Sequence, residues 1–215
     1  MPEPADLVQF LAAAAALYYL AFWLQKPESI ARSVTKTLPV ALLAIAVLIG
    51  GASPVLAAAL AFSAAGDWFL SREGERDFLS GLGAFLTAHL LYIALFAGAA
   101  DPAAFMTRNT GLTAIILAAL SVLVLMRLWP YLDKLRIPVI VYAATISAMA
   151  VAARVAMPGI IVLAGVALFI VSDTILAHDR FTPLSSTLLR RRLPALVMIT
   201  YYAAQLLIVY GLLHA

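Results

Sequence analysis

Cysteine is absent from the 215 residues. That excludes a disulfide framework, thiol catalysis and any Cys-ligated metal. Charge is scarce too: 14 Lys or Arg, 11 Asp or Glu and three His, for a net charge of +3. So few charges do not cover the surface of a soluble fold of this size, and a few scattered loop cations do not make the basic face of a nucleic-acid binder. Long hydrophilic segments and linkers are missing, as are low-complexity tracts beyond the alanine run 12–16. What the chain has instead is apolar surface: 65% of its residues are hydrophobic, against roughly 45–50% in a soluble domain. It reads as an all-α polytopic membrane protein forming one integral-membrane domain, residues 1–215.

A transmembrane helix needs about 20 mostly apolar residues. The stretches near 7–25, 37–52, 54–70, 79–99, 110–129, 137–156, 158–177 and 193–213 qualify, some of them short. Pro54, Pro138, Pro158 and Pro194 fall at or near their starts, where a missing N–H does little harm. The first stretch is preceded by Glu3 and Asp6 and by no basic residue. It is therefore read as a retained span rather than a signal peptide, which needs a positive n-region. Lys26, Arg32, Lys36, Arg72, Arg76, Arg127, Lys134, Arg136, Arg180 and Arg190 to Arg192 lie at one set of ends, and only Arg108 and Arg154 at the other. Twelve cations against two place the first set in the cytoplasm. Both termini are then non-cytoplasmic, which demands an even number of spans, and the bundle is expected to hold eight transmembrane helices.

Ionisable groups inside spans carry the functional signal, since each costs at least about 2.5–3.5 kcal/mol at a helix centre. Three qualify: Asp67, His89 and Asp173. Lys36, Tyr92, Tyr142, Ser147, Ser172, Tyr201, Tyr202 and Gln205 are the polar residues that would line the same cavity. At 1.5 Å of rise per residue, Lys36, Asp67, His89, Tyr142, Asp173 and Tyr201 fall in the cytoplasmic half of the bilayer and describe a pocket open toward that leaflet. The segments around Asp67 and Asp173 share a small-Asp-x-x-Leu pattern in spans three and seven, which predicts a four-plus-four parallel repeat. Two carboxyl groups at matched depth in low dielectric resist being ionised together. An acid beside a carboxylate is the general-acid and general-base arrangement.

Plainer roles stand beside these. Either Asp alone can be solvated near a helix end, and His89 can be a hydrogen-bonded packing residue. Tyr18, Tyr19, Tyr92, Tyr131 and Tyr210 read as interfacial anchors or core. His178, Asp179 and Arg180 read as a solvated loop, and Glu73, Glu75 and Asp77 with Arg72 and Arg76 as a self-compensating turn. The arginine run 190–192 reads as a topology signal that also attracts anionic headgroups.

Phe62-Ser63-x-x-Gly66-Asp67-x-x-Leu70 followed by Phe78-x-x-Gly81-x-x-x-Phe85-x-x-x-His89-x-x-Tyr92 resembles the signature of the bacterial YhhN and animal TMEM86 lysoplasmalogenases. So do Tyr142 with Ile146 and Met149, Gly165 to Phe169, Ser172-Asp173, Phe181 and Tyr201-Tyr202-x-x-Gln205. The likeness covers about residues 33–210. Lys36 matches the family's early Lys, although a Pro is expected directly after it and this chain reads Lys36-Thr37-Leu38-Pro39. The resemblance implies an eight-span hydrolase of a bacterial cytoplasmic membrane that cleaves the vinyl ether of lysoplasmalogens. A fatty aldehyde and glycerophosphoethanolamine or glycerophosphocholine are then the products. It implies no metal and no organic cofactor. Its partners are a lysophospholipid substrate and membrane lipids, and no nucleic acid. Asp67 and Asp173 are the expected acid and base. Lys36, His89, Tyr142, Ser172, Tyr201, Tyr202 and Gln205 are the expected substrate-binding residues, with Lys36 and Tyr142 on the phosphate. Three other readings remain. A metal-dependent lipid amidase needs more His ligands than the chain offers inside the bilayer. A transporter would use the Asp pair as a proton relay. A non-catalytic lipid-binding protein would release no product.

Overall fold

The computed structural model describes residues 3–100, 103–104, 107–183 and 186–214, without the side chains of Arg108, Thr187, Arg190 and Arg191. Every regular element among them is helical: α1 (Pro4–Tyr18), extended by a π-helical turn Tyr19–Trp23, then α2 (Ile30–Ile49), α3 (Pro54–Phe69), α4 (Glu75–Gly98) and α5 (Arg108–Leu132). A 3-10 turn Asp133–Leu135 leads into α6 (Arg136–Ala156), followed by α7 (Ile160–Phe181) and α8 (Thr187–Leu213). The starts follow the sequence locally. Ser29, Ser53, Thr107 and Ser186 each accept a hydrogen bond from a backbone N–H two or three residues on, meeting part of the donor deficit at a helix N-terminus. Pro54 opens α3, where its fixed φ is already helical. Gly51 (φ 68°) and Gly159 (φ 96°) supply left-handed backbone in the turns after α2 and before α7.

Among the described residues, six stretches are long and apolar enough to cross a membrane; one of them, Asn109–Ala156, holds both α5 and α6, and α3 is a shorter apolar helix. Phe10, Leu17, Ile116, Leu123 and Ile160 point outward and are more than half exposed, as a lipid-facing rim requires. Glycines allow close helix approaches. A Cβ on Gly66 of α3 would meet the Phe85 ring of α4 at 2.5 Å, and one on Gly165 of α7 would come within 2.8–3.0 Å of Ile208 and the Ala204 carbonyl on α8.

Several boundaries differ from expectation. Helix α2 begins at Ile30, so Lys36 is not a rim residue before the span; it lies nearly two turns inside and is buried. Helix α8 begins at Thr187, which puts Pro194 inside it. His178, Asp179 and Arg180 form the last turn of α7 rather than a loop. In each case capping and aqueous solvation let polar residues continue a helix beyond its apolar stretch.

The ends sort into two groups. At one end His214 lies 3.3 Å from Asp6, and Gly50 packs beside Ala5 and Leu213, so both termini meet the α2–α3 turn. At the other, Arg32 donates to the Ser71 carbonyl (2.8 Å), Ser71 donates to Ser33 (2.6 Å) and the Glu73 N–H donates to Glu28 (2.8 Å). Leu128, Leu132 and Val139 from the α5–α6 corner pack against Ala177 and Phe181 of α7.

Candidate active site

Asp67 stands two residues before the end of α3, next to the glycine that brings α4 close. Its Oδ2 accepts a hydrogen bond from the Tyr201 hydroxyl of α8 at 2.8 Å, and its Oδ1 lies 3.9 Å from Lys36 Nζ of α2. Lys36 is 7% exposed and Asp67 2%. The neighbouring Tyr202 turns the other way and donates to the Lys36 carbonyl at 2.7 Å. Consecutive tyrosines, about 100° apart around α8, thus fasten it to α3 and to α2.

Asp173 of α7 is held differently. Tyr142 of α6 donates to its Oδ2 at 2.6 Å, and His89 Nε2 of α4 lies 3.7 Å from the same oxygen. That is electrostatic contact beyond hydrogen-bond length. His89 is completely buried, with ring centroids 4.8 Å from Phe169 and 5.2 Å from Tyr142.

Phe85, Phe169 and Tyr201 bridge the two groups through edge-on ring contacts at 5.6–6.5 Å. The carboxyl groups do not hydrogen-bond each other; each has its own partners. Deeper in the core, Tyr92 donates to Gln205 Oε1 at 2.6 Å. Ser172 donates to the Val197 carbonyl at 3.0 Å, so its hydroxyl ties α7 to α8. Ser147 is shared with Ser121 of α5 at 2.9 Å. Tyr92 and Tyr19 are buried, whereas Tyr18, Tyr131 and Tyr210 are exposed, as core and rim readings of the tyrosines require.

Two cavities meet here. One is a polar mouth of about 230 Å³ between α2, the α3–α4 turn, α7 and α8, lined among others by Tyr19, Arg32, Lys36, Arg72, Asp179, Arg180 and Pro194. The other is an apolar cleft of about 110 Å³ between α4, α5, α6 and α7, with Asp173 and Tyr142 in a wall that is otherwise almost wholly hydrocarbon. Leu70, Phe78, Leu176 and Arg180 line both. Lys36 and Tyr142, expected side by side, therefore belong to different cavities, and Asp67 sits behind Lys36. The arginines were not singled out by the sequence. Arg72 lies over the Trp68 ring (4.8 Å) and Arg180 over Phe78 (4.6 Å). The four-residue spacing of Trp68 and Arg72, one helical turn, was the available signal; nothing in the sequence pairs Phe78 with Arg180. Among the described residues, no group of three or more His, Asp or Glu is placed to hold a metal ion.

The chain is 37% identical over 173 residues to proteins named lysoplasmalogenase from Mycobacterium bovis and Mycobacterium tuberculosis, covering 78% of its own length and 64% of theirs. It is 35% identical over 207 residues to human lysoplasmalogenase TMEM86B, covering 92% of this chain and 82% of the human one. No solved structure matches it. Residues 31–212, which carry both carboxyl clusters, match the YhhN family, and the chain belongs to that family.

Proposed function

We propose that this chain is an integral-membrane lysoplasmalogenase that hydrolyses the vinyl ether of a single-chain alkenyl phospholipid. The observation that carries the reading is the junction of the two cavities. A polar mouth and an apolar cleft share a wall; Asp173 lines the cleft, and Asp67 stands behind the Lys36 that lines the mouth. That shape fits an amphiphile whose scissile bond lies where headgroup and chain meet. The names of the relatives support the same substrate class.

A vinyl ether hydrolyses through protonation of its β-carbon, which places positive charge on the ether oxygen and the adjacent carbon. Water adds to that carbon, and the hemiacetal collapses to a fatty aldehyde and a glycerophosphodiester alcohol. Asp173 faces the hydrocarbon cleft and has a phenol and an imidazole for neighbours, so it is the group we assign to deliver the proton. Asp67 lies against an ammonium group and serves as the carboxylate that stabilises the cation and activates water. His89, Tyr201 and Gln205 position that water or the glycerol hydroxyl. Tyr202 and Ser172 hold α8 against α2 and α7, and Lys36 carries positive charge from the mouth to Asp67.

The full architecture belongs to this reading. Helices α1–α8 would each span a bacterial cytoplasmic membrane, with the termini outside and the mouth at the cytoplasmic leaflet, where the loop cations gather. The carboxyl clusters support a four-plus-four parallel repeat. Lys36 precedes Asp67 by 31 residues, as Tyr142 precedes Asp173. Each Asp, on the third helix of its half, takes one partner from the second helix of the same half. The other comes from the fourth helix of the opposite half: Tyr201 for Asp67 and His89 for Asp173.

The test is a product assay in D2O. Purified protein given lysoplasmenyl, lyso-alkyl and lyso-acyl phospholipids is expected to release aldehyde from the first alone, with one deuterium on the carbon next to the carbonyl. Fatty acid from the acyl lipid and no aldehyde from any substrate would end the proposal.

A further inference from the structure

The mechanism above uses only the inner edge of the polar mouth, yet the mouth is ringed by guanidinium groups. Arg32 enters from the first turn of α2 and donates to the Ser71 carbonyl; Arg72 lies over the Trp68 ring, and Arg180 over Phe78. Asp179 is the carboxylate in the same lining, and Lys36 at the bottom is engaged by Asp67. Three guanidiniums and one carboxylate thus line the mouth, an excess of positive charge in its lining. Guanidinium presents a planar fork that matches the oxygens of a phosphate. A guanidinium already seated on an aromatic face or a carbonyl gives up less freedom on binding than a free one. Arg180 also lines the apolar cleft, together with Leu70, Phe78 and Leu176. An anion in the mouth therefore sits one side chain away from the entrance of a single hydrocarbon slot.

We propose that Arg32, Arg72 and Arg180 form a phosphodiester-binding collar that selects one-chain lipids bearing a phosphate headgroup. This rests on the lysophospholipid reading above and adds residues that recognise the headgroup. The collar sets affinity, and the carboxyl clusters set the chemistry.

Binding is measured in neutral detergent with two probes that have no vinyl ether: 1-O-alkyl-glycerophosphocholine and 1-O-alkylglycerol, which lacks the phosphate. Failure of the hydrolase reading does not touch this measurement, because nothing is cleaved. Arg72→Gln and Arg180→Gln are each expected to weaken the phosphate-bearing probe about tenfold, the loss of a charge-assisted hydrogen bond, and to leave alkylglycerol binding unchanged. Arg72→Lys, which keeps the charge and loses the fork, falls between wild type and the Gln variant. Chain-free glycerophosphocholine is expected to compete for the mouth. Equal losses for both probes, or no loss for either, would overturn the collar. Displacement of the probe by two-chain phosphatidylcholine at the same concentration as by its one-chain analogue would also overturn it, because the site would then hold a bulk-lipid headgroup.

Discussion

The two carboxyl groups of the core stand at corresponding points of two helices, and their surroundings differ in one respect that matters. Asp67 is buried and Asp173 partly so, and both accept a short hydrogen bond from a tyrosine hydroxyl, Tyr201 for Asp67 and Tyr142 for Asp173. The second neighbour is an ammonium in one case and an imidazole in the other, Lys36 against His89. Asp67 is shut behind its lysine, whereas Asp173 is open to the apolar cleft. A matched pair of acids thus becomes two unlike groups, one charge-compensated and one facing hydrocarbon, through a single change of partner on each side.

Replacing each acid in turn breaks that comparison most sharply. Asp67→Asn and Asp173→Asn are both expected to lower aldehyde release by about 10²–10⁴, the range for loss of a positioned acid or base. Their stabilities should diverge. Asp67→Asn strands a buried ammonium, at a cost of about 3–5 kcal/mol, while Asp173→Asn strands no full charge. Thermal unfolding in detergent should therefore show a large loss of Tm for the first and a small one for the second, and Lys36→Met added to Asp67→Asn should recover most of it. Equal Tm values for the two single variants would remove the distinction between the clusters.

The tyrosines come next. Tyr201→Phe and Tyr142→Phe each delete one hydrogen bond to a carboxyl group, worth about 1.5–3 kcal/mol if that group is charged. Initial rates at saturating substrate should fall about tenfold or more for Tyr201→Phe, and less for Tyr142→Phe if Asp173 holds its proton in the resting enzyme.

A packing contrast is smaller. Gly66→Ala pushes a Cβ to 2.5 Å from the Phe85 ring, which rests on Tyr201. It should cost about 1–3 kcal/mol and reduce turnover with it. Gly83→Ala, on the same pair of helices with nothing within 4 Å of its Cβ, should be neutral or slightly stabilising. The smallest effect belongs to the α5–α6 wall of the apolar cleft. Ser121→Ala removes the bond to Ser147 that ties α5 to α6, an expected loss of about 0.5–1.5 kcal/mol, read as a small shift of the unfolding midpoint.

Much of the site was legible before any coordinates. Asp67, His89 and Asp173 stand out because each interrupts an apolar run, and the structure brings all three into two touching clusters. Gly66 and Gly165 lay within the motifs, although only the structure shows that Phe85 and Ile208 need the missing Cβ. Depth was less legible. Lys36 lies inside α2 and not at its edge, because the helix starts at a serine cap well before the apolar stretch does. A serine cap likewise moves the start of α8 back from Pro194, and at the other end of a helix His178 to Arg180 continue α7.

Order along the chain, the run lengths of apolar residues and the rarity of charge determined that this protein is a helical membrane bundle with its acids inside. Those are local properties, fixed by the cost of putting a backbone or a charge into hydrocarbon. Which helix faces which acid was decided only in three dimensions. Lys36 and Tyr201 reach Asp67 across 31 and 134 residues, and three arginines from separate helix ends share one mouth. Such meetings depend on how close two helices lie and how each is rotated. Those quantities come from the packing of every neighbouring side chain at once, and no short stretch of sequence contains them.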